Sequence, residues 1–199
     1  MNDTKLKGIE IGSRLHDEWR SHRRLENGEY EPRWKATKDE MYEPIDGKAR
    51  FNDSGEMEVD IANLSFEQLP KDWQKENLEA GLSVAQIVGN KEEITDEEME
   101  EYAKKVHEAW CDRKAEEIRK YMNDLDFKGL SDSEIMAKVD DKYSWDKNLM
   151  VAYENLSEEE KQKDRNHVIE AVKINKEISR GDIKLDYLEK KYYKEAKSI

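Results

Sequence analysis

The sequence predicts a mainly α-helical protein, two helix–connector–helix pseudo-repeats with short β-segments in the connectors. Three observations point there. Glycine and proline number only 9 and 3 in 199 residues, which disfavours a turn-rich sheet. Apolar residues recur at helical spacing behind N-terminal capping sequences. One order of residues also occurs twice, about 90 positions apart: His-x-x-Trp, then a Tyr, then aromatic-x-x-Leu ahead of a charged run.

Taken in order, Ile11, Leu15 and Trp19 share one face of a first helix over 9–25, which Asn27-Gly28 stops. The pattern then breaks until residue 64, with turns at Asp46-Gly47 and Ser54-Gly55, and Lys48–Phe51 and Met57–Ile61 can pair as a small hairpin. Pro70 opens a helix with Trp73, Asn77, Ala80 or Gly81, Val84 and Val88 on one face, and Gly89 ends it. Thr95 and Glu98 form a capping box for a helix carrying Met99, Tyr102, Val106 and Trp110 to about Met122. Ser131 and Glu134 open a short helix with Ile135, Met136 and Val139, followed by a loop holding Tyr143 and Trp145. Ser157 and Glu160 open another helix through Val168, Ala171, Val172 and Ile178, closing at Gly181. Leu185, Leu188 and Tyr192 recur at helical spacing in the tail.

The repeat aligns LHDEW at 15–19 with VHEAW at 106–110, Tyr30 with Tyr143, and LSFEQLP at 64–70 with VAYENLS at 151–157. One copy is too short to build a core alone, so the copies, 1–92 and 93–199, are expected to pack as one unit. Each His-x-x-Trp puts both rings on one helix face. The expected use is structural, His hydrogen-bonded inside the domain and Trp19 and Trp110 buried, with ligand contact as the alternative.

Charged residues make up 42% of the chain, close to a disordered composition, but 5 Trp, 9 Tyr and 3 Phe argue for a folded protein with a thin core. The net charge of −13 is uneven: residues 1–50 balance at 11 basic and 11 acidic, while 51–110 hold 5 against 16. Such a surface repels nucleic acid and anionic membranes, so neither is an expected partner. The single Cys111 allows no intrachain disulfide, and no apolar run approaches a membrane span, which predicts a soluble, cytoplasmic protein.

His16-x-x-Trp19 with Gly28-x-Tyr30 and VDIANLSFEQLP at 59–70, and His107-x-x-Trp110 with Tyr143 and LMVAYENLSEEEKQKD at 149–164, resemble the ryanodine-receptor-type repeat. That repeat usually comes as a tandem pair and also occurs in bacterial and phage proteins. Ala152 stands where the family has proline, and the helix around 131–139 is an insertion. The resemblance implies a mostly α-helical module used for interaction or ligand recognition, not catalysis.

Chemistry is sparse. Cys111 reads as a packed or partly exposed thiol with no Cys-His-Asp arrangement, and the four histidines lack metal-ligand spacing. No glycine-rich phosphate loop occurs, and no cofactor is expected. The best candidate site is RSHRRLENGEYEPRWKATK at 20–38, where basic groups gather among aromatics in an otherwise acidic protein. Arg20, Arg23, Arg24, Tyr30, Arg33 and Trp34 form the expected ligand-binding set, because guanidinium forks grip anions and aromatic faces stack on planar rings. The bland alternative pairs these arginines with the acidic band at 51–110. The sequence thus predicts a non-enzymatic binding or interaction module, in its sharper form one recognising a small anionic, nucleotide-like ligand. The alternative is an acidic interaction protein, phage-linked or imitating nucleic acid, that engages a basic partner. The oligomeric state stays open.

Overall fold

The computed structural model describes residues 2–192. It is mainly helical, as the sequence predicts, and its backbone contacts form two compact units: residues 1–93 with 169–199, and residues 94–168. The first cut falls beside the expected boundary at 92/93, but the segment from Ile169 onward groups with the first unit.

In the first unit, helix α1 spans Asp3–Ser21, with the Asn2 side chain capping the Thr4 N–H at 3.0 Å. It begins earlier than expected because Leu6 and Ile9 are also core residues, and it stops short of Asn27-Gly28. There Gly28, at φ +86°, tightens a turn closed by the Arg24–Tyr30 bridge. Strands β1 (Trp34–Ala36), β2 (Ala49–Phe51) and β3 (Met57–Asp60) form an antiparallel sheet in the order β1-β3-β2. The hairpin of β2 with β3 is the expected one; β1 is additional, registering Trp34 against Asp60. Buried Asp60 fixes the entry to β1 by accepting the Arg33 N–H at 2.8 Å and the Asn63 amide at 2.7 Å.

A 3-10 turn at Phe66–Gln68 leads into helix α2, Lys71–Val88. Pro70 sits at its N-cap, and Gly89 closes it at φ +63°. Helices α1 and α2 cross with almost no space between their backbones: a Cβ on Gly81 would lie 2.1 Å from the Gly8 carbonyl oxygen and 2.6 Å from the Gly12 nitrogen. One face of α2 is therefore built on Leu78, Gly81, Val84, Ala85 and Val88. The unit's core joins Leu6, Ile9, Val59, Leu64 and Phe66 to Leu188 and Tyr192 from the C-terminal segment. Its polar centre is Glu10, nearly buried, which accepts from Arg14 at 2.8 Å, Tyr192 Oη at 2.7 Å and Lys191 at 3.2 Å.

The second unit opens on the Thr95/Glu98 capping box, which starts helix α3, Asp96–Phe127. The Ser131/Glu134 box starts α4, Asp132–Leu149. Where the sequence suggests a loop after Val139, α4 continues with one non-helical residue, Tyr143, at φ −115° and ψ 16°. No glycine or proline interrupts the segment, and the buried Tyr143 ring packs edge-on against Tyr121 while its hydroxyl donates to Glu117 at 3.1 Å. These contacts hold the kinked helix together. A second 3-10 turn, Tyr153–Asn155, precedes α5 (Glu158–Ser179), whose first turn is capped by Ser157 Oγ at 3.2 Å from the Glu160 N–H. Helix α6 spans Leu185–Lys191 and belongs to the first unit.

Candidate functional site

The two His-x-x-Trp sequences carry the same local contacts. In the first unit His16 Nε2 lies 2.9 Å from the Leu64 carbonyl, two residues ahead of Phe66. In the second, His107 Nε2 lies 2.8 Å from the Val151 carbonyl, two residues ahead of Tyr153. The carbonyl can only accept, so Nε2 carries the proton in both rings. Each imidazole stacks on its Trp, at 5.8 Å for His16–Trp19 and 5.9 Å for His107–Trp110, both at 25°. A helix thereby grips the residue that introduces the 3-10 turn.

The expectation that the tryptophans are buried is corrected here. The histidines are the inner residues, at 3% and 4% exposure, whereas Trp19 is 37% exposed and Trp110 half-buried. Only one ring at i, i+3 can reach the carbonyl beneath the helix, and the polar one takes that place; the indole becomes its outer cover.

Around this shared frame the two sites diverge. Four residues after each histidine the first unit has Arg20, which also donates to Leu64 O at 3.1 Å, and the second has Cys111. Eight residues after the leucine of each turn stand Asn77 and Asp164. Asn77 donates to the Trp73 carbonyl at 3.0 Å. Asp164 instead places Oδ2 3.6 Å from His107 Nδ1, with its side chain 14% exposed. Burial pushes the Asp164 carboxyl up to about 7, with Glu160 adding to the rise and Lys163 opposing it. With Nε2–H committed to Val151, Nδ1 is the ring nitrogen that faces Asp164.

This pair opens into a cavity of about 200 Å³. Trp110 and His107 from α3, Trp145 and Leu149 from α4, and Leu156, Glu160, Lys163, Asp164 and His167 on and before α5 line it. Trp145, which is 63% exposed, comes from the turns of α4 beyond the break at Tyr143.

Contrary to the sequence expectation, a Cys-His-Asp alignment does exist: Cys111 Sγ lies 3.4 Å from His107 Nε2, with Asp164 on the other ring nitrogen. Its chemistry is obstructed. A catalytic base needs a free nitrogen lone pair toward the thiol, and Nε2 spends its proton on Val151 O. Burial pushes the Cys111 thiol up, with Asp164, Asp112 and Glu108 adding to it, so the thiolate is disfavoured.

The 20–38 residues are distributed along a surface. Arg20 lies over the Tyr30 ring at 5.0 Å and pairs with Asp17 at 2.9 Å. Arg23 lies over Trp19 at 5.7 Å and bonds Glu31 at 3.0 Å. Arg24 and Tyr30 meet through their backbones; Arg33 is exposed, its N–H held by Asp60; and Trp34 lies under Arg50 at 4.4 Å. Neither Arg20 nor Arg23 uses the acidic band at 51–110: their carboxylate partners are local. Within that band Glu100 holds Arg165 at 2.6 Å and Glu58 holds Arg50 at 2.8 Å.

Sequence reasoning missed Asp164, Trp145, Glu160 and His167. The available signal was the mismatch of Asp164 with Asn77 once the repeats are aligned. Among the described residues no group of three or more His, Cys, Asp or Glu is placed to hold a metal, and no helix is long and apolar enough to cross a membrane. Compared with family models, with curated proteins and with solved structures, the chain finds no match.

Proposed function

We propose that this chain is a non-enzymatic ligand-recognition module, a tandem similar to the ryanodine-receptor-type repeat, in which the second unit holds the ligand. The observation that carries this reading is the cavity lined by two indoles, two imidazoles and the half-buried Asp164 carboxyl. Recognition pockets combine apolar and aromatic walls with a few placed polar groups, and this lining has that composition. The first unit lacks the equivalent carboxyl: Asn77 occupies the position, and Arg20 fills the place of Cys111. The Arg-rich segment at 20–38 supports the reading less well, since Arg20 and Arg23 are already spent on Asp17, Glu31 and two aromatic faces.

The test is a fragment screen observed through the indole N–H signals of all five tryptophans. The expected result is that binding fragments shift Trp110 and Trp145 and leave Trp34 and Trp73 unmoved. Fragments that shift only Trp19 and Trp34 would move the site to the 20–38 segment.

A second reading, a thiol enzyme, rests on the Cys111–His107–Asp164 alignment. Iodoacetamide distinguishes it. An activated thiol alkylates faster than free cysteine at pH 7, and the raised Cys111 thiol is expected to react more slowly.

A further inference from the structure

We propose that the cavity of the second unit takes an organic cation, an ammonium or amidinium attached to a small ring, with its charge on Asp164 and its ring against Trp110 and Trp145. This rests on the reading that the cavity is a ligand site, and it names the ligand class.

Charge decides the class. Asp164 and Glu160 are the acids of the lining, and Lys163 is its only side chain of fixed positive charge. Lys163 is not available to an anion, because it pairs with Glu160 at 2.5 Å and lies 4.0 Å from Glu159. A phosphate or carboxylate entering here would meet the Asp164 carboxyl and a lysine already neutralised by Glu160. A cation meets the reverse: a carboxyl that burial leaves short of a full countercharge, and two indole faces whose quadrupoles attract positive charge. The net charge of −13 favours cations in the approach as well.

The proton balance follows from burial. The unliganded Asp164 carboxyl, pushed up to about 7, is partly protonated at neutral pH. A bound cation favours the carboxylate, so that proton leaves to solvent while His107 Nε2–H stays on Val151 O. The first unit cannot do this, since Asn77 carries no charge and gives up no proton.

The experiment uses the full chain with benzamidinium and benzylammonium as probes, their neutral counterparts benzamide and benzyl alcohol, and benzoate as the anion. Affinities come from titration calorimetry in two buffers of different ionisation enthalpy, and the location from the indole N–H signals. The expected result is that both cations bind at least tenfold more tightly than their neutral counterparts, shift Trp110 and Trp145, and release a fraction of a proton at pH 7. Asp164→Asn, the residue type the first unit carries at this position, should weaken the cations at least tenfold and change benzamide by less than twofold. Glu160→Gln provides a second, more exposed change that should weaken the cations alone. If benzamide or benzoate shifts the same indoles as strongly as benzamidinium, or Asp164→Asn leaves cation affinity unchanged, the ligand class is overturned while the cavity remains a ligand site. If no probe shifts Trp110 or Trp145, both readings fall.

Discussion

At the scale of the residue, the division of labour between histidine and tryptophan decides what each mutation costs. His107 is inner, and its Nε2–H bonds the Val151 carbonyl that sets up the 3-10 turn. His107→Ala should cost about 2–3 kcal/mol in a urea melt, since it removes a part-buried hydrogen bond worth about 0.5–1.5 kcal/mol together with the packing of an inner ring. Trp19→Ala should cost about 2–3 kcal/mol, below the roughly 3–5 kcal/mol of a fully buried tryptophan, because a third of the residue already faces water. A loss above about 5 kcal/mol for Trp19→Ala would show that the indole, not the imidazole, is the inner ring.

Asp164 gives a second residue-scale prediction. Its folded value, about 7, lies above the ordinary 3.8, so the folded protein binds this proton more tightly than the unfolded chain does. Stability associated with the group is fully present below about pH 4 and is lost as pH rises through 7. Around it stand His107 and Cys111 from α3, with Glu160, Lys163 and His167 from its own helix. Asp164→Asn should therefore leave the melting temperature at pH 4 nearly unchanged and raise it at pH 8. The gain at pH 8 is bounded at about 4 kcal/mol by three units at about 1.4 kcal/mol each. A variant less stable than the parent at pH 8 would contradict the burial cost assigned to the carboxyl.

At the scale of the element, helix starts marked by a capping box were legible, the uncapped reading of α1 began too late, and helix contacts were not legible. Thr95/Glu98 and Ser131/Glu134 announce α3 and α4 because capping is a local hydrogen-bond problem, solved within four residues. The repeated aromatic-x-x-Leu was legible for the same reason, and both copies form 3-10 turns. The short β1 was missed, since three residues carry no period and its partner β3 lies more than twenty residues on. Asp164 was missed because a carboxyl among 48 acidic residues becomes distinctive only once folding buries it beside His107.

The crossing of α1 and α2 was hidden too. Gly8, Gly12 and Gly81 look unremarkable in sequence, yet their lack of Cβ atoms lets the two backbones touch. Gly81→Ala would drive a methyl into the Gly8 carbonyl and the Gly12 nitrogen, neither of which can rotate away. It should cost more than about 3 kcal/mol, beyond ordinary overpacking. Gly129→Ala, at φ +78° with open space around it, bears only backbone strain and should cost about 1–2 kcal/mol. Equal losses in thermal melts would mean that the crossing relaxes.

At the scale of the whole molecule, the chain spreads its burial unevenly, and the cavity sits where burial is thinnest. Helix α1 buries nine of its nineteen residues, from Leu6 to His16, while α4 buries three of eighteen: Ile135, Val139 and Tyr143. Opening free energy follows buried contact, so α4 belongs to the low-stability end of the molecule and α1 to the high end. Native-state amide exchange should therefore be slowest in α1 and much faster in α4, by a factor of at least a hundred for amides after the Tyr143 kink. That ordering bears on recognition, because the turns beyond the kink carry Trp145, an outer wall of the cavity. A ligand held between Asp164 and Trp145 binds only while those turns are formed, so it must slow their exchange by mass action. Saturation at a hundredfold excess over Kd corresponds to about 2.7 kcal/mol, a slowing near a hundredfold in α4, with α1 amides changed little. The sharpest comparison is between amides before and after Tyr143. If benzamidinium protects both sides equally, the ligand stabilises α4 as a single block and the kink is no hinge. If protection is confined to the later turns, the wall bearing Trp145 opens and closes on its own, and the helical break at Tyr143 is what lets ligands enter.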